Sequence, residues 1–174
     1  LTVFSFHPVK HITTGEGGMV VTESDDYADR LRRFRSHGIV KDPKQFLRPA
    51  PGPWHTEMQH LGYNYRLSDI QCALGTSQME RLDLFLARRK QLAQWYGELL
   101  VGVPHVRPAP DHPGHAWHIY PLWVEPALRR QVFEGLRERE IGVQVHYPLV
   151  SSHPYYVDRY GPQKGSFPEA ERIS

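Results

Sequence analysis

The chain has 174 residues, 40% hydrophobic and 23% charged, the make-up of a soluble globular protein with room for one well-packed domain or the pieces of two. A net charge of +2 with histidine neutral argues against a dedicated nucleic-acid surface, and no apolar run approaches the roughly 20 residues that cross a bilayer. The single cysteine, Cys72, excludes an internal disulfide and points to a reducing, cytoplasmic setting.

The chain opens on Leu1 inside a strand-like run, with no signal-peptide pattern, and stops at Ser174 inside a helix-like one, as expected of an internal fragment of a longer protein. Residues 2–18 read as a strand that runs into a rigid turn, a single lysine and a glycine-rich return to a second apolar run, Met19 to Thr22. Pro8 fixes φ, while Gly15, Gly17 and Gly18 permit conformations and approaches that side chains forbid. Lys10 is thereby held at one place. A lysine becomes nucleophilic when its amine falls below the ordinary pKa of about 10.4, and it then forms a Schiff base with a carbonyl. The plainer reading is a hairpin whose lysine points into water.

Ser24 then offers an N-cap, with acidic residues in the first turn and Tyr27, Leu31 and Phe34 at helical spacing, up to a stop at Arg35, His37 and Gly38. The arginines at 30, 32, 33 and 35 read as a solvated face. Between Ile39 and Leu61, Pro43, Pro49, Pro51 and Pro53 dissolve the pattern, which reads as a loop crossing a partner subunit or covering a site. Ser68 with Gln71 forms a capping box, predicting one long helix from about Asp69 to Leu100, kinked near Gly75, with Cys72 buried and inert. The basic run Arg88, Arg89 and Lys90 lacks the interleaved aromatics of a nucleic-acid surface.

Residues 101–114 read as a proline-rich linker and residues 115–124 as a strand, confined by Pro121 to an edge or bulge. Pro126 opens a helix ending near Glu140, and the alternation from Ile141 to Tyr147 predicts a further strand, which makes a small α/β unit. Phe167 to Ser174 reads as a helix with proline in its first turn. His105, His112, His115 and His118 invite a metal, but no cysteine or repeated carboxylate spacing supports one, so no metal is expected. Neither a Ser-His-Asp arrangement, a Walker pattern nor a dinucleotide glycine fingerprint is present.

The run Ser-Phe-His-Pro-Val-Lys-His-Ile-Thr-Thr-Gly-Glu-Gly-Gly over residues 5–18 closely resembles the cofactor-lysine segment of the DegT family of pyridoxal-phosphate sugar aminotransferases. Leu-Gly-Tyr-Asn-Tyr-Arg-Leu-Ser-Asp-Ile-Gln-Cys-Ala-Leu-Gly over 61–75, Ile-Gly-Val-Gln-Val-His-Tyr over 141–147 and Pro154-Tyr-Tyr156 resemble the same family in the same order. The likeness is strongest to the branch that aminates UDP-linked 4-keto-6-deoxy sugars on the way to pseudaminic acid. It implies an α/β type I PLP-dependent aminotransferase fold truncated at both ends. Residues 1–68 would close the large cofactor-binding domain, and 69–174 would form a linking helix and the small C-terminal domain.

By the same resemblance Lys10 is the lysine that binds pyridoxal 5'-phosphate, Ser5 a phosphate-binding hydroxyl, and Asn64 the asparagine that reaches the cofactor phosphate of the other protomer in a homodimer. The implied reaction moves an amino group from glutamate to the C4 ketone of a nucleotide sugar. Lys10 stands where the family's sugar dehydratases carry histidine, which favours amino transfer. His11 departs from the pseudaminic branch, and the carboxylate that pairs with the pyridine nitrogen falls upstream of Leu1, so this piece alone is expected to be inactive. The alternatives are a non-catalytic dimerisation module of the same fold and a family enzyme for another keto sugar.

Overall fold

In the computed structural model, which describes residues 1–173, the chain divides into two compact units, Leu1–Gln91 and Leu92–Ser174. The first unit begins with the expected hairpin. Strands β1 (Thr2–Ser5) and β2 (Gly18–Val21) pair antiparallel from Thr2 opposite Val21 to Ser5 opposite Gly18. Helix α1 (Asp25–Phe34) comes next, and the Ser24 side chain accepts from the Tyr27 N–H as an N-cap should. It stops where predicted: Gly38 takes φ +69°, which glycine tolerates, and its N–H closes back on the Arg33 carbonyl at 2.8 Å.

The proline-rich stretch is more ordered than its sequence suggests. Ile39–Val40 (β3) and Glu57–Met58 (β4) pair antiparallel, closing an excursion that contains one turn of 3₁₀ helix at Pro43–Gln45. Arg33 is not part of a merely solvated face. It bonds Asp29 at 2.8 Å on its own helix and the Gln59 and Gln45 side-chain oxygens at 3.2 and 3.1 Å, fastening α1 to the loop.

The single long helix is corrected to two, α2 (Asp69–Met79) and α3 (Leu82–Leu99). Gly75 stays helical, and the break falls at Glu80 and Arg81, where Arg81 N–H bonds Gln78 three residues back and Arg81's own carbonyl starts α3 by accepting from Phe85. The capping box is present: Gln71 N–H bonds Ser68 Oγ, and the Gln71 side chain accepts from Ser68 N–H. Cys72, expected to be buried, is exposed, on a helix with no buried residue.

In the second unit, β5 (Val106–Pro108) pairs with β6 (Leu122–Val124), so the expected linker contributes a strand and the expected strand 115–124 shrinks to its last three residues. Residues 115–120 form instead an aromatic cluster: Trp117, only 8% exposed, lies between His115 at 4.0 Å and Tyr120 at 5.3 Å, and Tyr120 stacks on Tyr96 at 4.9 Å. Helix α4 (Arg129–Glu138) is present, but Pro126 lies in the turn before it and the helix starts three residues later than expected. The alternation at 141–147 does not make a strand, since an alternating segment needs a neighbour for its backbone groups and none of the described strands lies beside it. Prolines open α5 (Pro154–Tyr160) and α6 (Pro168–Ile173), the latter where expected, with Ser174 outside the described residues. No helix among the described residues is long and apolar enough to cross a membrane.

Candidate active site

The Lys10 loop is built from its base upward. Beyond the last strand pair, Phe6 N–H bonds the Gly17 carbonyl at 2.8 Å, and the Phe6 carbonyl accepts from Thr14 N–H at 3.0 Å and Thr13 Oγ1 at 3.1 Å. The two ends of the loop are thus tied together. At its tip His7, Pro8, Val9 and Lys10 form a β-turn, with Lys10 N–H on the His7 carbonyl at 2.9 Å and proline at the second position, where its fixed φ suits the turn. Lys10 stands at the last position of that turn, half-buried.

Ser5 closes β1 and is exposed, and its cross-strand partner is Gly18, so no side chain on β2 stands opposite its hydroxyl. Ser5 and Lys10 therefore flank the same turn. Asn64 lies on another segment. That segment is clamped to the end of α1: Tyr63 N–H bonds the Phe34 carbonyl at 2.7 Å, Tyr65 N–H the Arg35 carbonyl at 2.9 Å, and Ser36 bridges to Asn64 itself. The Tyr63 and Tyr65 rings stack at 5.0 Å, and the alternation of an extended segment sends the intervening, exposed Asn64 side chain to the opposite side.

The segment carrying Asn64 meets the Lys10 loop a few residues further on. Gln71 Nε2 donates to the Glu16 carbonyl at 2.9 Å, and a Cβ placed on Gly17 would overlap Thr14 Oγ1 and come 2.7 Å from Leu67 Cδ2. Gly17 is required there by close approach. Thr14, 4% exposed, fills the junction, and its hydroxyl donates to the same Glu16 carbonyl at 2.8 Å. Thr14 and Gln71 are organising residues that the sequence reading passed over, although the capping box had already singled out Gln71.

Glu57 was missed altogether. Its two oxygens accept from Leu47 N–H at 2.7 Å, Arg48 N–H at 2.9 Å and Gln59 Nε2 at 2.9 Å, with His55 Nε2 at 3.5 Å. These donors, Leu47 foremost, hold its carboxyl down at about 2 from the ordinary 4.5. It is the point around which residues 45–59 close. In the second unit, burial pushes the Tyr120 phenol up, with Asp111 and Tyr96 adding to the shift. His105 pairs with Glu125 rather than with the other histidines, and among the described residues no group of three or more His, Cys, Asp or Glu side chains is placed to hold a metal ion.

Ser5 and Lys10 thus share one loop, and Asn64 stands on a second segment that reaches this loop through Gln71 and Leu67. The chain superposes on PseC, an aminotransferase of pseudaminic acid biosynthesis from Helicobacter pylori, with TM-score 0.79 and 31% identity over 91% of this chain and 42% of that one. It superposes on the PMP form of a putative sugar aminotransferase from Streptococcus pneumoniae with TM-score 0.84 and 26% identity over 99% of this chain and 45% of that one. This is the type I aminotransferase fold expected above, of which the chain supplies less than half.

Within that class the assignment narrows, because the model of the DegT/DnrJ/EryC1/StrS aminotransferase family matches residues 1–174, and the chain belongs to this family. A UDP-4-amino-4,6-dideoxy-N-acetyl-beta-L-altrosamine transaminase from Campylobacter jejuni is 40% identical over 161 residues, covering 90% of this chain. The chain spans 40% of that relative's length.

Proposed function

We propose that the protein to which this chain belongs is a PLP-dependent transaminase that moves an amino group from glutamate to the C4 ketone of a UDP-linked 4-keto-6-deoxy sugar. The observation that carries the proposal is the position of Lys10 at the end of the Pro8 turn, on a loop whose base is tied at Phe6, Thr14 and Gly17. Pyridoxal phosphate, when bound, supplies an aldehyde that takes up the amino group and a ring that spreads the charge left on the carbon losing its proton. Lys10 Nζ tethers that aldehyde at rest. Once freed by the amino donor, the same nitrogen would take the proton from the donor's α-carbon and deliver it to the carbon that had been the aldehyde, which leaves the amino group on the cofactor. Ser5 Oγ and the Asn64 carboxamide donate to phosphate, Asn64 in the site of the other protomer of a homodimer.

On this reading residues 1–68 close the large domain, and residues 69–174 lead into and form the small one. The nucleotide-sugar substrate is supported by the activity of the Campylobacter relative, and the cytoplasmic setting by the lone cysteine.

Borohydride reduction of the full-length protein with saturating pyridoxal phosphate, and then peptide mass spectrometry, is expected to place the adduct on Lys10. No adduct overturns the reading in favour of a non-catalytic module, and an adduct elsewhere overturns the role given to Lys10. Lys10→Ala should cost at least the roughly hundred- to ten-thousand-fold that positioned proton transfer contributes. Glutamate assayed against UDP- and dTDP-linked keto sugars then decides the acceptor.

A further inference from the structure

Gln71 uses both ends of its side-chain amide. Its Oε1 accepts from Ser68 N–H at 2.9 Å and Ser68 Oγ at 3.1 Å, completing the helix cap, while Nε2 leaves the helix and donates to the Glu16 carbonyl at 2.9 Å. The orientation of the amide is forced. Reversed, its NH₂ would meet the Ser68 N–H and its oxygen would meet the Glu16 carbonyl, donor against donor and acceptor against acceptor. A cap needs only the oxygen, and glutamate would serve it equally. The nitrogen therefore has a separate task.

That task can be traced bond by bond to the Lys10 loop. The Glu16 carbonyl held by Gln71 is also held by the hydroxyl of buried Thr14, and Thr14 N–H holds the Phe6 carbonyl at the loop's base. The helix is pressed against this chain of contacts, since a Cβ on Gly75 would stand 2.9 Å from Thr14 Cγ2. We infer that Gln71 is a positioning residue for Lys10, its amide nitrogen bracing the return half of the lysine loop against the first turns of α2. The inference rests on the function proposed above, in which the lysine side chain must swing away and come back while its backbone stays put.

Three variants of the full-length protein test it. Gln71→Glu keeps the cap's acceptor and removes the donor; Gln71→Lys keeps a donor and removes the acceptor; Ser68→Ala weakens the cap and leaves the brace. Hydrogen exchange of residues 6–17 should quicken about tenfold in Q71E, the effect of losing one hydrogen bond, and stay near wild type in Q71K and S68A. The pyridoxal phosphate concentration giving half-maximal borohydride labelling of Lys10 should rise about tenfold in Q71E alone. Wild-type exchange in Q71E, or equal loosening in Q71E and S68A, overturns the inference. If the wild-type protein is not labelled at Lys10, the proposed function falls, and the exchange measurement still decides whether Gln71 braces the loop.

Discussion

A carboxylate that gathers several N–H donors is stabilised as an anion, and at Glu57 this ties the stability of the fold to pH. The Leu47 N–H foremost, then the Gln59 amide, with Arg48 N–H and His55 adding, outweigh desolvation and lower its pKa from 4.5 to about 2. Its side chain is only 10% exposed. Because the folded value lies below the unfolded one, the unfolded chain binds more protons between them, and stability rises with pH across that window. The contribution is complete above about pH 4.5 and is lost as pH falls towards 2. Glu57→Gln should therefore melt below wild type at pH 7, with a gap that closes as melting is repeated down to pH 2; a gap independent of pH would refute the assignment. Nothing at this residue was legible beforehand. Its partners at 47 and 48 are ten and nine positions away in a stretch without periodicity, whereas the Ser24 and Ser68 caps join residues three apart and could be read directly.

At the scale of elements, Gly75 marks the difference between a residue that breaks a helix and one that admits a neighbour. The sequence suggested a kink there because glycine costs about 1 kcal/mol against alanine in a helix. In the structure α2 passes straight through Gly75, and the missing side chain is the space that the Thr14 methyl approaches. Thr14 cannot easily retreat, being buried and fixed through its hydroxyl to Glu16. Gly75→Ala should thus destabilise the wild-type protein by about 1–3 kcal/mol, the usual cost of overpacking. In a Thr14→Ser background, which removes the methyl and keeps the hydroxyl, the same change should recover up to about 1 kcal/mol of helix propensity. Urea denaturation of the four proteins in this cycle checks it, and additivity would show that the two residues do not meet. The strand misreadings share a cause with the kink. Alternation at 141–147 and proline-richness at 104–110 describe a segment's own preference, but strand formation depends on a partner, which Val106–Pro108 finds in Leu122–Val124.

For the whole molecule, the legible part of the site was the part written contiguously. Residues 5–18 make their turn and their closure largely among themselves, so Ser5 and Lys10 could be placed on one loop from the sequence. Asn64 belongs to a second segment held by α1, and no local pattern says which site it serves. The proposed function assigns it to the other protomer, which has a consequence for mixed dimers. In a two-fold symmetric pair, a Lys10→Ala subunit joined to an Asn64→Ala subunit carries both lesions in one site and none in the other. Random re-pairing of equal amounts makes half of the dimers mixed, so about a quarter of all sites should regain both residues. Refolding the two full-length variants together and assaying amino transfer should therefore restore about a quarter of the wild-type rate where the parents, refolded separately at the same total concentration, are nearly inactive. If Lys10 and Asn64 serve the same protomer's site, every site keeps one lesion, and mixing yields no more than the average of the parents.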